Sequence, residues 1–381
     1  MKPTPFLILA VALTACGTAQ AQEDAAAMIA RIEAPQTGSA NPLAALSLPA
    51  LMERLHVPGA SIAVIKDFKI HWAKAYGVAD AGTGRPVTTE TRFQSASIAK
   101  PVTAMAAMRM VQERRLDLDA DVNAVLKSWQ APRGVTPRSL FSHTSGADDG
   151  FGFPGYTPGA PLPTIVQILD GQAPSNVGKV TFARAPYQAY KYSGGGGLVM
   201  QQALTDLSGQ PFAQFMQAAV LEPLQMSHST FGHLPEDGAK AQAALAHDEL
   251  GQRMGAPWRV HPELATSNLW TTASDLAAVI IELQTALRGP QGKILQQRSA
   301  REMVTPVGVG RYGVGLAIDR HGEGWYFSHN GSNWGYRAWM SGHVRKGYGL
   351  VILVNGENGM PLLNQVAERV EQAYRWDSSK Q

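Results

Sequence analysis

The sequence predicts a mixed α/β (α+β) fold: an antiparallel sheet built from both chain ends and flanked by helices, with a mostly helical region inserted between them. Two observations carry this. Strand-like runs occupy residues 59–80 and return only past residue 311, in "YGVGLAID", "WYFSHNG", "YRAWMSGHV" and "YGLVILVN". Between them, apolar residues fall mainly at i, i+3, i+4 spacing or give way to loops. The chain of 381 residues is 45% hydrophobic, enough for a large core in one or two domains.

Taken in order, residues 1–21 have the form of a signal peptide. Lys2 is a positive start, and "PFLILAVALTA" is apolar but too short to span a bilayer. Two processing outcomes stay open. "AQA" at Ala19–Ala21 suits ordinary cleavage, whereas "LTAC" resembles a lipobox that would place a lipid on Cys16, the single cysteine of the chain. Either one implies export, to the periplasm or the medium, with membrane attachment only through Cys16. No internal disulfide can form. Residues 22–41, rich in Ala, Gln, Gly, Ser and Pro, read as a spacer. The catalytic domain then spans 42–381, with about 98–264 as its mostly helical part.

"LAALSLPALMERL" has helical spacing broken by one proline, and residues 59–80 read as two strands around a turn at Asp67–Phe68. A helix is expected from about Ser97 to Arg114. Two more lie in "PTIVQIL" and "GGLVMQQALTDLSG". Residues 273–289 open on a Ser/Asp start signal and end in glycine, and a last helix runs from about Leu362 to Tyr374. There is no internal repeat. The net charge of +3, from 33 basic and 30 acidic residues with no basic stripe, excludes an electrostatic nucleic-acid binder.

The chemistry begins at "FQSASIAKPV". Ser97 and Lys100 are three residues apart, on one helix face. A serine at a helix start lies among unpaired amides at the positive end of the dipole, which favours a developing oxyanion. Pro101 costs little in the first turn. "VTAMAAMRM" then buries the helix, and desolvation would lower the Lys100 pKa, making it a proton acceptor for an activated Ser97. S-x-x-K alone occurs often by chance, and by itself reads first as an N-cap serine with an exposed first-turn lysine.

Four further motifs follow in order: "LFSHTSGADD", "YKYSGGGG", "LWTTASDLA" and "SHNGSNWGY". Together with "FQSASIAKPVTAMAAM" they resemble the penicillin-recognising serine hydrolase superfamily of class C β-lactamases, D,D-carboxypeptidases, D-aminopeptidases and β-lactamase-like esterases, over about residues 42–375. The resemblance implies a β-lactamase/transpeptidase-like fold, with Ser97 as the acylated nucleophile and Lys100 as its proton partner. Tyr192 would pass the proton to the leaving group, the phenolate form included. It also implies that His329, Asn330 and Gly331 hold substrate, and that the backbone N–H groups of Ser97 and Ser332 form the oxyanion hole.

Two departures bear on substrate. Gly194 stands where many members have asparagine, removing a carboxamide from lysine and substrate. His329 stands where most β-lactamases have lysine, and an ordinary histidine would attract a carboxylate weakly and in a pH-dependent way. The expected activity is therefore ester hydrolysis first. D,D-peptidase or D-amino-acid amidase action comes second, β-lactamase action third, and a non-catalytic penicillin-binding sensor last. The substrate would be a small ester or amide, or a peptidoglycan-type peptide.

Other signals read as structural. "GFGFPG" and "GVGRYG" match a dinucleotide glycine pattern without the strand and helix it needs. "DLDADVN" starts like a calcium loop, but Val122 and Ser128 occupy its glycine and glutamate positions. His228 and His233 are wrongly spaced for a helical metal site, so no metal and no cofactor is expected. His143 reads as a hydrogen-bonded core histidine. Trp334 is either an acyl-pocket wall or loop packing.

Overall fold

The computed structural model describes residues 24–36, 41–149, 152–234 and 241–379. The signal-peptide reading and Cys16 lie outside them. The elements run α1 (residues 24–33), α2 (Leu48–Arg54), β1 (Gly59–Lys66), β2 (Lys69–Asp80), β3 (Arg85–Pro86), β4 (Phe93–Gln94) and α3 (Ala99–Gln112). The inserted part holds α4 (Pro137–Phe141), α5 (Ile165–Asp170), α6 (Gly194–Ser208), α7 (Phe212–Met216), β5 (Thr230–Phe231), α8 (Leu264–Ser267) and β6 (Leu269–Thr271). After α9 (Ala273–Arg288) and α10 (Gln297–Met303) come β7 (Ala317–His321), β8 (Gly324–Asn333), β9 (Tyr336–His343), β10 (Gly349–Val354) and α11 (Gly359–Tyr374).

Seven antiparallel strands form one sheet in the order β3-β2-β1-β10-β9-β8-β7. The two chain ends meet at β1 and β10, where Ile62 faces Ile352. Both strands are apolar on both faces because each face covers a separate core. Ile62, Val64, Leu350, Ile352 and Val354 point to one core, while Ala63, Ile65, Val351 and Leu353 point to the other. The period of two deals alternate side chains to opposite sides. The first core is closed by α2 and α11, the second by α3, α6 and α9. The sharp β1–β2 turn puts Asp67 and Phe68 both at positive φ (53° and 62°), a strained geometry for non-glycine residues that the strand twist demands.

One expectation needs correction. Residues 24–33 are helical rather than spacer, and Ile32 is fully buried in the α11-side core. Its alanine-rich composition hid a strong helix former. Arg369 of α11 ties this segment down from inside: it is buried, and its guanidinium donates to the carbonyls of Ile32, Leu43, Ala44 and Leu46. Arg369→Ala should therefore cost about 2–4 kcal/mol by leaving these acceptors without their donor. Urea melts of the variant and wild type would read the loss directly.

Candidate active site

The nucleophile turn is built before the helix it precedes. Residues Ala96–Ile98 form a single 3-10 turn that passes directly into α3. Ala96 has φ 51°, a conformation that costs an alanine about 1 kcal/mol or more and persists only where its surroundings hold it. They do: the N–H and the Oγ of Ser95 both donate to the carbonyl of Leu269 in β6, each at 3.0 Å. Ser97 is the one partly exposed residue from Phe93 to Lys100.

Lys100 lies one turn on, buried beneath Ser97. Its Nζ donates to Ser97 Oγ at 3.1 Å and to the carbonyl of Thr266 in α8 at 3.0 Å. Burial brings its pKa down to about 7, with the Asp149 carboxylate pulling the other way. Half the amine is thus neutral near pH 7, and its lone pair can take the Ser97 proton.

Tyr192 closes the triad. Its phenol is hydrogen-bonded to Ser97, and its ring lies 5.2 Å from Lys100 Nζ. Burial pushes the phenol well above its ordinary pKa. Burial thus favours the neutral phenol as a proton donor, with Lys100 as the proton acceptor. An aromatic cage surrounds it. His143 lies tilted against Tyr192 at 4.2 Å, and Tyr312 makes T-shaped contacts with His143 at 4.8 Å and with His329 at 5.9 Å. His143 is buried and accepts the N–H of Ser193, as a core histidine would.

His329 also departs from expectation. It is 2% exposed, and burial beside Lys100 lowers its pKa to about 3. Its Nδ1–H donates to the carbonyl of Asn330 at 2.7 Å. Burial thus favours the neutral side chain, which would give a substrate carboxylate little charge to bind. Asn330 and Ser332 point to solvent on the opposite strand face. Trp334 is half-buried, with the Arg259 guanidinium stacked on it at 4.7 Å.

Gly331 sets the spacing between β8 and the nucleophile turn. A Cβ there would sit 2.1 Å from the Ser95 carbonyl oxygen and 3.1 Å from Ala96 Cβ. β7 pairs with β8 only as far as Ser328, so no strand fills the gap on that side beyond it. Hence the strand end carrying Ser332 lies against the Ser97 turn. Gly331→Ala is expected to push β8 away and lower kcat about 100- to 1,000-fold, the loss typical of one oxyanion donor. Overpacking would cost about 1–3 kcal/mol. Steady-state kinetics beside a thermal melt would separate the two effects.

The start of α6 is held by Asp149, a residue to which the sequence assigned no role. Asp149 accepts from the Ser193 hydroxyl and, at 2.6 Å, from the Gly195 N–H, while Ser193 Oγ accepts from Gly196 N–H at 2.8 Å. This carboxylate caps the glycine-rich first turn and is the negative charge felt by Lys100. Asp149 stands in "SGADD", and its acidity was the available signal. Thr266 acts through its carbonyl, which no side-chain pattern encodes. Among the described residues, no group of three or more His, Cys, Asp or Glu is placed to hold a metal ion.

A serine, a buried lysine and a phenol converge on one oxygen at the edge of an antiparallel sheet, which is a geometry for acyl transfer. The Beta-lactamase family model matches residues 47–375. The chain belongs to the Beta-lactamase family. This family of serine hydrolases includes penicillin-binding proteins. Penicillin-binding protein 4 of Amycolatopsis lactamdurans is 33% identical over 208 residues, 53% of this chain and 52% of that protein. Protein flp of Staphylococcus aureus strain MRSA252 is 22% identical over 333 residues, 80% of this chain and 60% of its own. The chain thus spans about half to three fifths of these curated relatives. Among solved Beta-lactamase-fold structures, SurE superposes with TM-score 0.70 at 26% identity, covering 87% of this chain and 76% of that one. D-amino acid amidase from Ochrobactrum anthropi SV3 shares the fold, with TM-score 0.70, 20% identity and coverage of 86% and 98%.

Proposed function

We propose that this protein is an exported acyl hydrolase that cleaves uncharged carboxylic esters through a Ser97 acyl-enzyme. The observation that carries the reading is the buried Lys100, poised near pH 7 on Ser97 Oγ. Lys100 takes the hydroxyl proton as Ser97 attacks, the Tyr192 phenol hands its proton to the leaving oxygen, and the Lys100 ammonium returns the Ser97 proton to Tyr192, which restores both groups. The backbone N–H groups of Ser97 and Ser332 receive the oxyanion. Water repeats the sequence on the acyl-enzyme. A neutral His329 and a glycine at position 194 offer a β-lactam carboxylate and amide little, which favours esters.

A second reading is hydrolysis of D-configured amino-acid amides. SurE has also been solved with D-Leu, at 25% identity and TM-score 0.69 to this chain. The test is turnover of p-nitrophenyl butyrate, D-leucine amide and benzylpenicillin by wild type and Ser97→Ala. Ester turnover in the wild type alone supports the first reading, and amide turnover without ester turnover replaces it with the second. Activity retained in Ser97→Ala sinks both.

A further inference from the structure

Gly194 is buried at the first turn of α6, two residues after Tyr192 and one turn before Gly197, whose Cβ position is 3.9 Å from Lys100 Cε. A Cβ added at Gly194 would lie 2.8 Å from Cε2 and 3.2 Å from Cζ of Phe153. The space beside residue 194 is therefore occupied by a phenyl ring that reaches in from the loop after Asp149. That ring packs against the main core and is half-buried. Asp149, four residues earlier in the chain, is fixed to Ser193 and Gly195. The ring sits where it does because residue 194 has no side chain.

Resting on the acyl-transfer reading above, we propose that Phe153 is the specificity-determining wall of the acyl pocket. It selects acyl groups with an apolar chain next to the carbonyl and rejects those bearing an amide there. A phenyl ring offers such an amide no hydrogen bond, so its N–H and C=O would be desolvated without compensation. An alkyl chain gains contact with the same surface.

The experiment compares kcat/KM for p-nitrophenyl acetate, p-nitrophenyl hexanoate and N-acetylglycine p-nitrophenyl ester. The proteins are wild type, Phe153→Leu, Phe153→Ala and Phe153→Ala/Gly194→Asn, each checked by thermal melt. Wild type should prefer hexanoate, and Phe153→Ala should lower the hexanoate-to-acetate ratio about tenfold. Phe153→Leu, still large and apolar, should keep the preference and guards against a folding defect in the alanine variant. The double variant should raise the amide-bearing ester about tenfold relative to hexanoate, because a carboxamide then replaces the ring. An unchanged hexanoate-to-acetate ratio in a folded Phe153→Ala overturns the proposal while the acyl-transfer reading stands. Turnover surviving in Ser97→Ala, or no nitrophenolate release by the wild type from any ester, overturns both.

Discussion

Ser97→Ala is expected to lower kcat about 10⁴- to 10⁶-fold, the range seen when the nucleophile of a coupled serine site is removed. The loss should be all in kcat, with KM little changed. Ser97 Oγ contributes one polar contact in the ground state and the new covalent bond in the reaction. Because the side chain is partly exposed and hydrogen-bonded only within the site, the variant should melt within about 1 kcal/mol of wild type. Intact mass gives a second readout. A wild-type acyl adduct on incubation with an activated ester, absent from Ser97→Ala, ties the covalent bond to this oxygen. An adduct in both proteins would move the nucleophile elsewhere.

Lys100→Met carries the second large effect, about 10³- to 10⁵-fold in kcat/KM at pH 8, since it removes the base and keeps the stem. The sign of the pH dependence follows from the direction of the shift. Desolvation lowers the lysine to about 7, so the competent neutral amine is the high-pH form. In wild type, kcat/KM should rise with pH through an inflection near 7 and fall about tenfold per unit below it. Neither His329, lowered to about 3, nor His143, lowered well below its usual value, should add a limb between pH 5 and 8. Stability should move in the same direction. Between about 7 and the ordinary lysine value the unfolded chain binds more protons, so wild-type stability rises with pH there and is poorest below 7. Methionine has no charge to desolvate, and Lys100→Met should therefore melt no lower than wild type at pH 6. A variant that is inactive and also strongly destabilised at pH 6 would contradict a desolvated ammonium.

How much of this was legible in the sequence depends on the range over which each feature is decided. β1 and β10 could be read because their apolar runs are local, and their antiparallel pairing followed from strands at both ends around a helical insert. Ser97, Lys100 and Tyr192 could be read because the motifs containing them are short and keep their order. α1 was misread because alanine-rich composition resembles a linker until Ile32 is seen buried. The charge states of His329 and Tyr192 could not be read for a related reason. A motif names the side chain, but burial sets its charge, and burial comes from Tyr312 and His143 far along the chain. Thr266 and Phe153 were invisible because a carbonyl and a ring placed by tertiary approach leave no pattern.

The pairing of β1 with β10 also bears on how the molecule is made. Ile62 and Ile352 are 290 positions apart, so the centre of the sheet is among the last contacts whose chain exists during synthesis. Until then β1 and β2 form an isolated hairpin, marginal by itself in water, and the apolar α3 has no sheet to cover it. Such long-range closure is slow and leaves sticky strand edges waiting. Ribosome-bound chains lacking β10 should accordingly be protease-sensitive along their whole length, with protection arriving in one step once the final strand and α11 emerge.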